Sequence, residues 1–306
     1  MRLFRKREET LAVSIDPGEL APGATASVTV HAAGAFENVR SARVELGYDN
    51  AFSYKWLGEI KAPKGVETAD LLIAGHSTDG DTREGTEWVE VVRTDLLVGT
   101  DGVLGAGEHR VDVSIPEDAP PGSDGMIKWA ARVVVETGSG DERAEARFRV
   151  LCAPPELDPD ELELEREKGD SCDVDIKLAR AAVPVGGAIE GRVLITARSE
   201  VPAAGATVFL YRDRESHPTH KTPGGRNLSW KSRSVIAKKQ ELVPGELVEL
   251  PFTLEVPADL EPTASGVHSS VRWWVHVALD YGWTGPSSEQ VRRAVVLYIE
   301  PSTKAA

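Results

Sequence analysis

The sequence predicts an all-β chain built as two tandem antiparallel β-sandwiches. Three observations carry this reading: short bursts of period-2 alternation punctuated by Gly, Pro and Asp, no long helical periodicity, and one strand-link-strand pattern that occurs twice. The clearer copy, Leu242 to Asp280, reads LVPGELVELPFTLEVPADLEPTASGVHSSVRWWVHVALD. Leu104 to Thr137 repeats its plan of Gly-Glu turn, alternating strand ending in Pro, Pro-rich link and Trp-bearing strand. At 306 residues the chain is too long for one small core, so it divides into residues 1–152, a connection at 153–171, and residues 172–306.

In the first part, Leu11, Val13 and Ile15 share a face before the turn Asp16-Pro17-Gly18. Val28 and Val30 open a second strand after Pro22-Gly23, and Val39 to Tyr48 supplies a third through Val44, Leu46 and Tyr48. Segments 66–75 and 86–98 follow, separated by a polar loop from His76 to Gly85. Val111, Val113 and Ile115 then line one face of a strand, which Pro116, Pro120 and Pro121 stop by denying it a backbone donor. Ile127, Trp129, Ala131, Val133 and Val135 alternate with Lys128, Arg132 and Glu136, as a half-buried strand must, and Ala144 to Leu151 returns beside it.

The connection opens with Pro154, Pro155 and Pro159 and carries eight acids between Glu156 and Asp170, while Leu157, Leu162 and Leu164 predict that it docks against a domain, with a strand entering the second sandwich as one form of that docking. The second part then restarts the order of the first. Val174, Ile176 and Leu178 alternate like residues 11–15, and PVGGAIEGRVLITA at 184–197 parallels APGATASVTVHA at 21–32. Val208 to Tyr211, Ser232 to Lys239, Val248 to Val256, Val271 to Leu279 and Val291 to Ile299 complete about seven strands, the number a sandwich needs.

Charge narrows the classes of function. With 35 Lys plus Arg against 49 Asp plus Glu, the net charge of −14 disfavours a nonspecific grip on nucleic acid or anionic lipid. Cys152 and Cys172 have no metal-ligand or CxxC spacing and read as reduced thiols, with a disulfide across the connection as the alternative. MRLFRKREET lacks the apolar run of a secretory signal, and no stretch approaches the ~20 apolar residues of a membrane span, so a cytoplasmic protein is expected. Arg2, Arg5, Lys6 and Arg7 around Leu3 and Phe4 form either a solvated basic tail or a peripheral membrane contact.

Val248-Glu249-Leu250-Pro251-Phe252-Thr253-Leu254-Glu255-Val256-Pro257 and Val271-Arg272-Trp273-Trp274-Val275, with the weaker copy at Val111–Pro116 and Ile127–Val135, resemble the arrestin-like two-domain family. Its bacterial branch related to sporulation-control protein M is the nearest likeness. The resemblance spans the chain in its order of elements. It implies two tandem immunoglobulin-like sandwiches and a nonenzymatic adaptor or scaffold that binds protein partners, at the cytoplasmic membrane surface or in sporulation or stress regulation. The phosphate-sensing polar core of the receptor-binding branch has no matching positions in this sequence.

Leu71 to Ser77 imitates a nucleophile elbow, but the Gly required two residues after Ser77 is Asp79 and no helix follows, so no catalytic residue is assigned. His76, Asp79, Asp81 and Glu84 do not match the 12-residue calcium loop, and His217 and His220 lack a third ligand at metal spacing, so neither a metal nor another cofactor is expected. Residues 217–240 form a basic loop in which Lys221, Arg226, Lys231, Arg233, Lys238 and Lys239 occur with no acid and with Trp230 among them. Those residues are the candidate partner-binding site, for an acidic or phosphorylated protein rather than nucleic acid or a small-molecule substrate, against the plainer reading of an edge strand protected by lysines. Trp273 and Trp274 must point to opposite faces, one into the core and the other either covered by the neighbouring domain or exposed. A carbohydrate-binding sandwich that stacks sugars on several of the seven tryptophans is the alternative function.

Overall fold

The computed structural model describes residues 10–56, 81–96, 98–123, 125–152, 156–217, 225–282 and 288–300. Their regular structure is β throughout, apart from one 3-10 turn. The first half contains β1 (Leu11–Asp16), β2 (Glu19–Leu20), β3 (Thr25–Ala32), β4 (Val39–Trp56), β5 (Asp81–Asp95), β6 (Gly107–Ser114), β7 (Ile127–Thr137), β8 (Gly140–Arg147) and β9 (Arg149–Val150). After the 3-10 turn Pro159–Glu161, the second half contains β10 (Leu164–Lys168), β11 (Cys172–Leu178), β12 (Ala182–Pro184), β13 (Ala188–Ala197), β14 (Ala204–Ser216) and β15 (Gly225–Gln240). It closes with β16 (Leu247–Glu255), β17 (Ala264–Ser265), β18 (Ser269–Asp280) and β19 (Glu289–Tyr298).

The strand orders of the two halves repeat. The sheet β1-β3-β6 accompanies β5-β4-β7-β8 in the first, and β11-β13-β16 accompanies β10-β19-β18-β14-β15 in the second. Each half adds one short parallel pairing, β2 with β9 and β12 with β19. The strands that carry the twice-occurring motif, β6 with β7 and β16 with β18, hold matching places. Their tryptophans match as well: Trp129 donates its indole N–H to the Pro120 carbonyl at 2.9 Å, and Trp273 to the Glu261 carbonyl at 3.1 Å. In both halves a buried indole thus ties its strand to the link that precedes it, which satisfies the one polar atom the ring takes out of water. The turns into β3 and β13 also match, each with a left-handed residue, Gly23 at φ 80° and Gly186 at φ 84°, where a side chain would meet steric cost.

Alternation explains the cores. Val28, Val30, Val44, Leu46 and Val133 are buried in the first half, and Val193, Ile195, Val208, Leu210 and Val275 in the second. The halves meet at a buried polar junction. Asn50 donates to Ser269 Oγ at 2.8 Å and accepts from the His268 backbone at 2.7 Å, while Ser53 N donates to Ser216 Oγ at 2.9 Å. Every polar group of Asn50 is thereby matched, as its complete burial requires.

Several expectations change. The third strand runs to Trp56, and residues 81–85, expected in a polar loop, open β5 instead. Segment 66–75 lies outside the described residues. The connection does dock, but not through its leucines: Leu157 and Leu164 are exposed and only Leu162 packs on the core. Backbone pairing of β10 with β19 and the buried Arg293, which donates to the carbonyls of Pro159, Asp160 and Leu162, hold it in place. No disulfide joins Cys152 and Cys172, and the buried Cys172 Sγ lies 3.0 Å from Tyr281 Oη. Among the described residues no helix is long and apolar enough to cross a membrane.

Candidate functional site

The predicted basic loop is a strand for most of its length. Residues 225–240 form β15, which pairs with β14 and with no other strand among the described residues, so it is the last strand of the sheet among them; Ser232 Oγ donates to the Glu255 carbonyl of β16 at 2.7 Å. Lys221 and His220 lie outside the described residues. The strand predicted at Ser232–Lys239 is therefore present and starts earlier, at Gly225, where an edge strand facing solvent has no need of an apolar face and its composition mimics a loop.

A register shift between Leu210 and Tyr211 leaves Lys231 unopposed. Trp230 and Lys231, adjacent in the sequence, point to opposite faces, as alternation along a strand requires. Trp230 lies on the outer face of the sheet against Tyr211 (ring centroids 4.5 Å), Phe209 (4.7 Å) and His276 (5.1 Å), yet remains 54% exposed. Lys231 instead lines a cleft of about 1380 Å³ between the halves, with Arg212, Glu261, Trp129 and Trp273 along its walls.

The basic residues divide into one structural cation and four free ones. Arg226 grips the wholly buried Asp213 carboxylate through two bonds, Nε at 2.8 Å and a terminal nitrogen at 2.5 Å, which raises the Arg226 pKa further above its ordinary value. It therefore satisfies a buried charge of its own sheet rather than awaiting a partner, and leaves the candidate set. Lys231, Arg233, Lys238 and Lys239 are exposed and form no ion pair among the described residues. Leu228 and Val235 stand exposed beside them.

Beyond Trp230 the outer face is ionic. Arg292 donates Nε to Glu165 at 2.8 Å, sits 2.9 Å from Glu167, and stacks on Trp274 at 4.4 Å. Trp273 and Trp274 do point to opposite faces, but neither is exposed (0% and 1%) and Trp274 is covered by arginine from its own sheet, not by the other half. Sequence reasoning missed Asp213, His276 and Arg292. The only signs were a lone acid within Arg212-Asp213-Arg214 and an arginine doublet in the apolar strand around Val291–Val296.

His276 is almost wholly buried and bonds Glu167 at 3.1 Å. Burial holds its imidazole below the ordinary value, against the upward pull of Glu167, with Arg292 adding to the depression. The unfolded chain therefore takes up this proton first, and acidification favours unfolding. Calorimetry between about pH 7.5 and 5.5 is expected to show the thermal midpoint falling below about pH 6.5, a step His276→Gln should lack.

The remaining candidates give less. Ser77, His76 and Asp79 lie outside the described residues, as does the basic tail at 2–7, while Glu84 belongs to β5. The His217 ring is occupied within the protein, at 3.0 Å from the Val267 carbonyl and 3.3 Å from Ser270 Oγ. Of the tryptophans whose side chains are described, Trp129, Trp273 and Trp274 are buried, Trp88 lies under the Arg132 guanidinium, and Trp230 alone is exposed. These side chains make no row of platforms for sugar stacking. Compared with known proteins, the chain matches no family model and no curated sequence. The fold and site therefore define the class on their own: an all-β sandwich protein with a sheet that ends, among the described residues, in a cationic, partly apolar strand.

Proposed function

We propose that this protein is a nonenzymatic, arrestin-like adaptor of two immunoglobulin-like sandwiches, working in the cytoplasm, that captures a protein partner by accepting an extended acidic segment along β15. The observation that carries this reading is the edge itself: among the described residues, 16 residues paired with a strand on one side only, bearing Leu228, Trp230 and Val235 exposed among four cations that form no ion pair there. Strand addition suits such an edge, because main-chain bonds supply affinity while alternate side chains supply selectivity. The cations repel a second basic strand and favour carboxylates or phosphates.

The test uses a labelled peptide of alternating Glu and Val and reads its fluorescence anisotropy with the whole protein. Reversing two exposed charges, Lys231→Glu with Arg233→Glu, is expected to weaken binding by about tenfold or more while leaving the thermal midpoint in place. Methylating alternate peptide nitrogens should abolish it. Equal binding by the charge-reversed protein, or by the methylated peptide, would reject strand capture at β15.

A further inference from the structure

Among the described residues the sheet that ends at β15 ends on its other side at β10, and the two edges are opposite in charge. Its order, β10-β19-β18-β14-β15, leaves β10 paired with β19 alone among the described residues. β10 (Leu164–Lys168) and the segment that leads into it through the 3-10 turn, residues 156–163, together carry seven acidic residues against Arg166 and Lys168, of which Asp160, Glu165 and Glu167 are paired with Lys177 or Arg292, whereas β15 carries five cations and no acid. The acidic edge is not a loose tail. Arg293, buried beneath it, binds three of its carbonyls and also Asp175 at 2.9 Å, and the next carbonyl, Glu163 O, accepts from Ala294 N at 2.8 Å.

Among the described residues, five of the eight exposed large apolar side chains fall in the same two places, while Val243, Leu247 and Val267 lie elsewhere. Leu157 and Leu164 stand on the acidic edge; Leu228, Trp230 and Val235 stand on the basic one. Large exposed apolar groups beside unpaired strand edges invite another chain, and the charges decide which. Two β15 edges repel one another, as do two acidic edges. Only an acidic edge against a basic edge matches both backbone and charge, so the contact joins different surfaces of the two molecules.

We infer that the chain associates with itself head to tail, the 156–168 edge of one copy lying along β15 of the next. This rests on the reading of β15 as a receptor for an acidic strand, and names its occupant as a second copy of this chain. The association is heterologous, so it continues from copy to copy unless the rotation between neighbours closes a ring. At physiological ionic strength the mutual repulsion of copies carrying −14 is screened beyond about 8 Å, whereas charges meeting at the contact remain effective.

Sedimentation velocity on the full chain over a concentration series tests this, with two variants that alter exposed charges lacking ion pairs among the described residues. Arg233→Glu with Lys239→Glu leaves β15 three cations, one of them the Arg226 held by Asp213, against two acids, and Glu156→Lys with Glu161→Lys leaves residues 156–168 five acids against four cations, so each variant loses the charge contrast at one edge. The wild type is expected to sediment faster as concentration rises, and each variant alone to remain monomeric. An equimolar mixture of the two is expected to associate again, because each supplies the edge the other lacks. Recovery in the mixture also shows that both variants are folded. A wild type that stays monomeric throughout the series, or a mixture that does not recover, overturns the inference. A synthetic peptide of residues 156–168 separates the two levels of the argument. Peptide binding that Arg233→Glu with Lys239→Glu abolishes, without self-association, keeps β15 as an acidic-strand receptor and rejects the second copy as its occupant; neither binding nor association rejects both.

Discussion

Replacing Arg226 by Met is expected to destabilise the protein by about 3 kcal/mol, more than reversing any of the exposed cations around it. Asp213 has no exposed side-chain surface, and its carboxylate is held by two Arg226 nitrogens. Removing one partner of such a pair leaves a buried charge without compensation, at a typical cost of about 3–5 kcal/mol. The lower end applies because the Arg226 side chain is itself 45% exposed, so water can reach part of the vacated space. The double change Arg226→Met with Asp213→Leu removes the charge as well as its partner and should recover most of the loss. Urea denaturation of the three variants measures this. A loss below about 1 kcal/mol for Arg226→Met would mean that Arg226 is one more solvated cation and belongs back in the partner-binding set.

Trp273→Ala is expected to cost about 3–5 kcal/mol, the largest effect of any single substitution considered for the second half. The ring is completely buried, and its N–H satisfies the Glu261 carbonyl, so truncation opens a cavity and orphans an acceptor together. Trp129→Ala should cost a similar amount, since that residue has the same burial and the same kind of bond, to Pro120. Trp273→Phe keeps much of the volume and loses the donor, so its smaller cost isolates the hydrogen bond. Trp274→Ala should cost less, because Trp274 stacks under Arg292 on the outer face and its indole nitrogen holds no partner. If Trp274→Ala proved the more damaging of the pair, the assignment of Trp273 as the core residue of the repeated motif would be wrong.

The residues of the candidate partner-binding site were legible as a group and not as individuals. A run of cations without an acid in a chain of net charge −14 is visible in any reading of the sequence. That Arg226 turns back onto Asp213, that Lys231 faces the cleft, and that Arg233 lies opposite Phe209 are matters of strand register. A shift of one residue sends every side chain to the other face, and no local pattern on a solvent-facing edge specifies that shift. The docking of β10 was legible but its place was not, because its pairing with β19 is supported by Arg293 from 125 or more residues away rather than by its own composition.

What the sequence by itself determined is the all-β class, the buried faces of the central strands and the recurrence of one motif. These follow from period-2 alternation, from prolines that end strands, and from an indole that must be buried once its neighbours are. Only the tertiary structure decided which strands end the sheet, which arginines are spent on buried carboxylates, and that the acidic connection and the basic strand are the two edges of one sheet. Edges and buried ion pairs are set by contacts between residues far apart in the chain, so their energy is invisible to any pattern read along it.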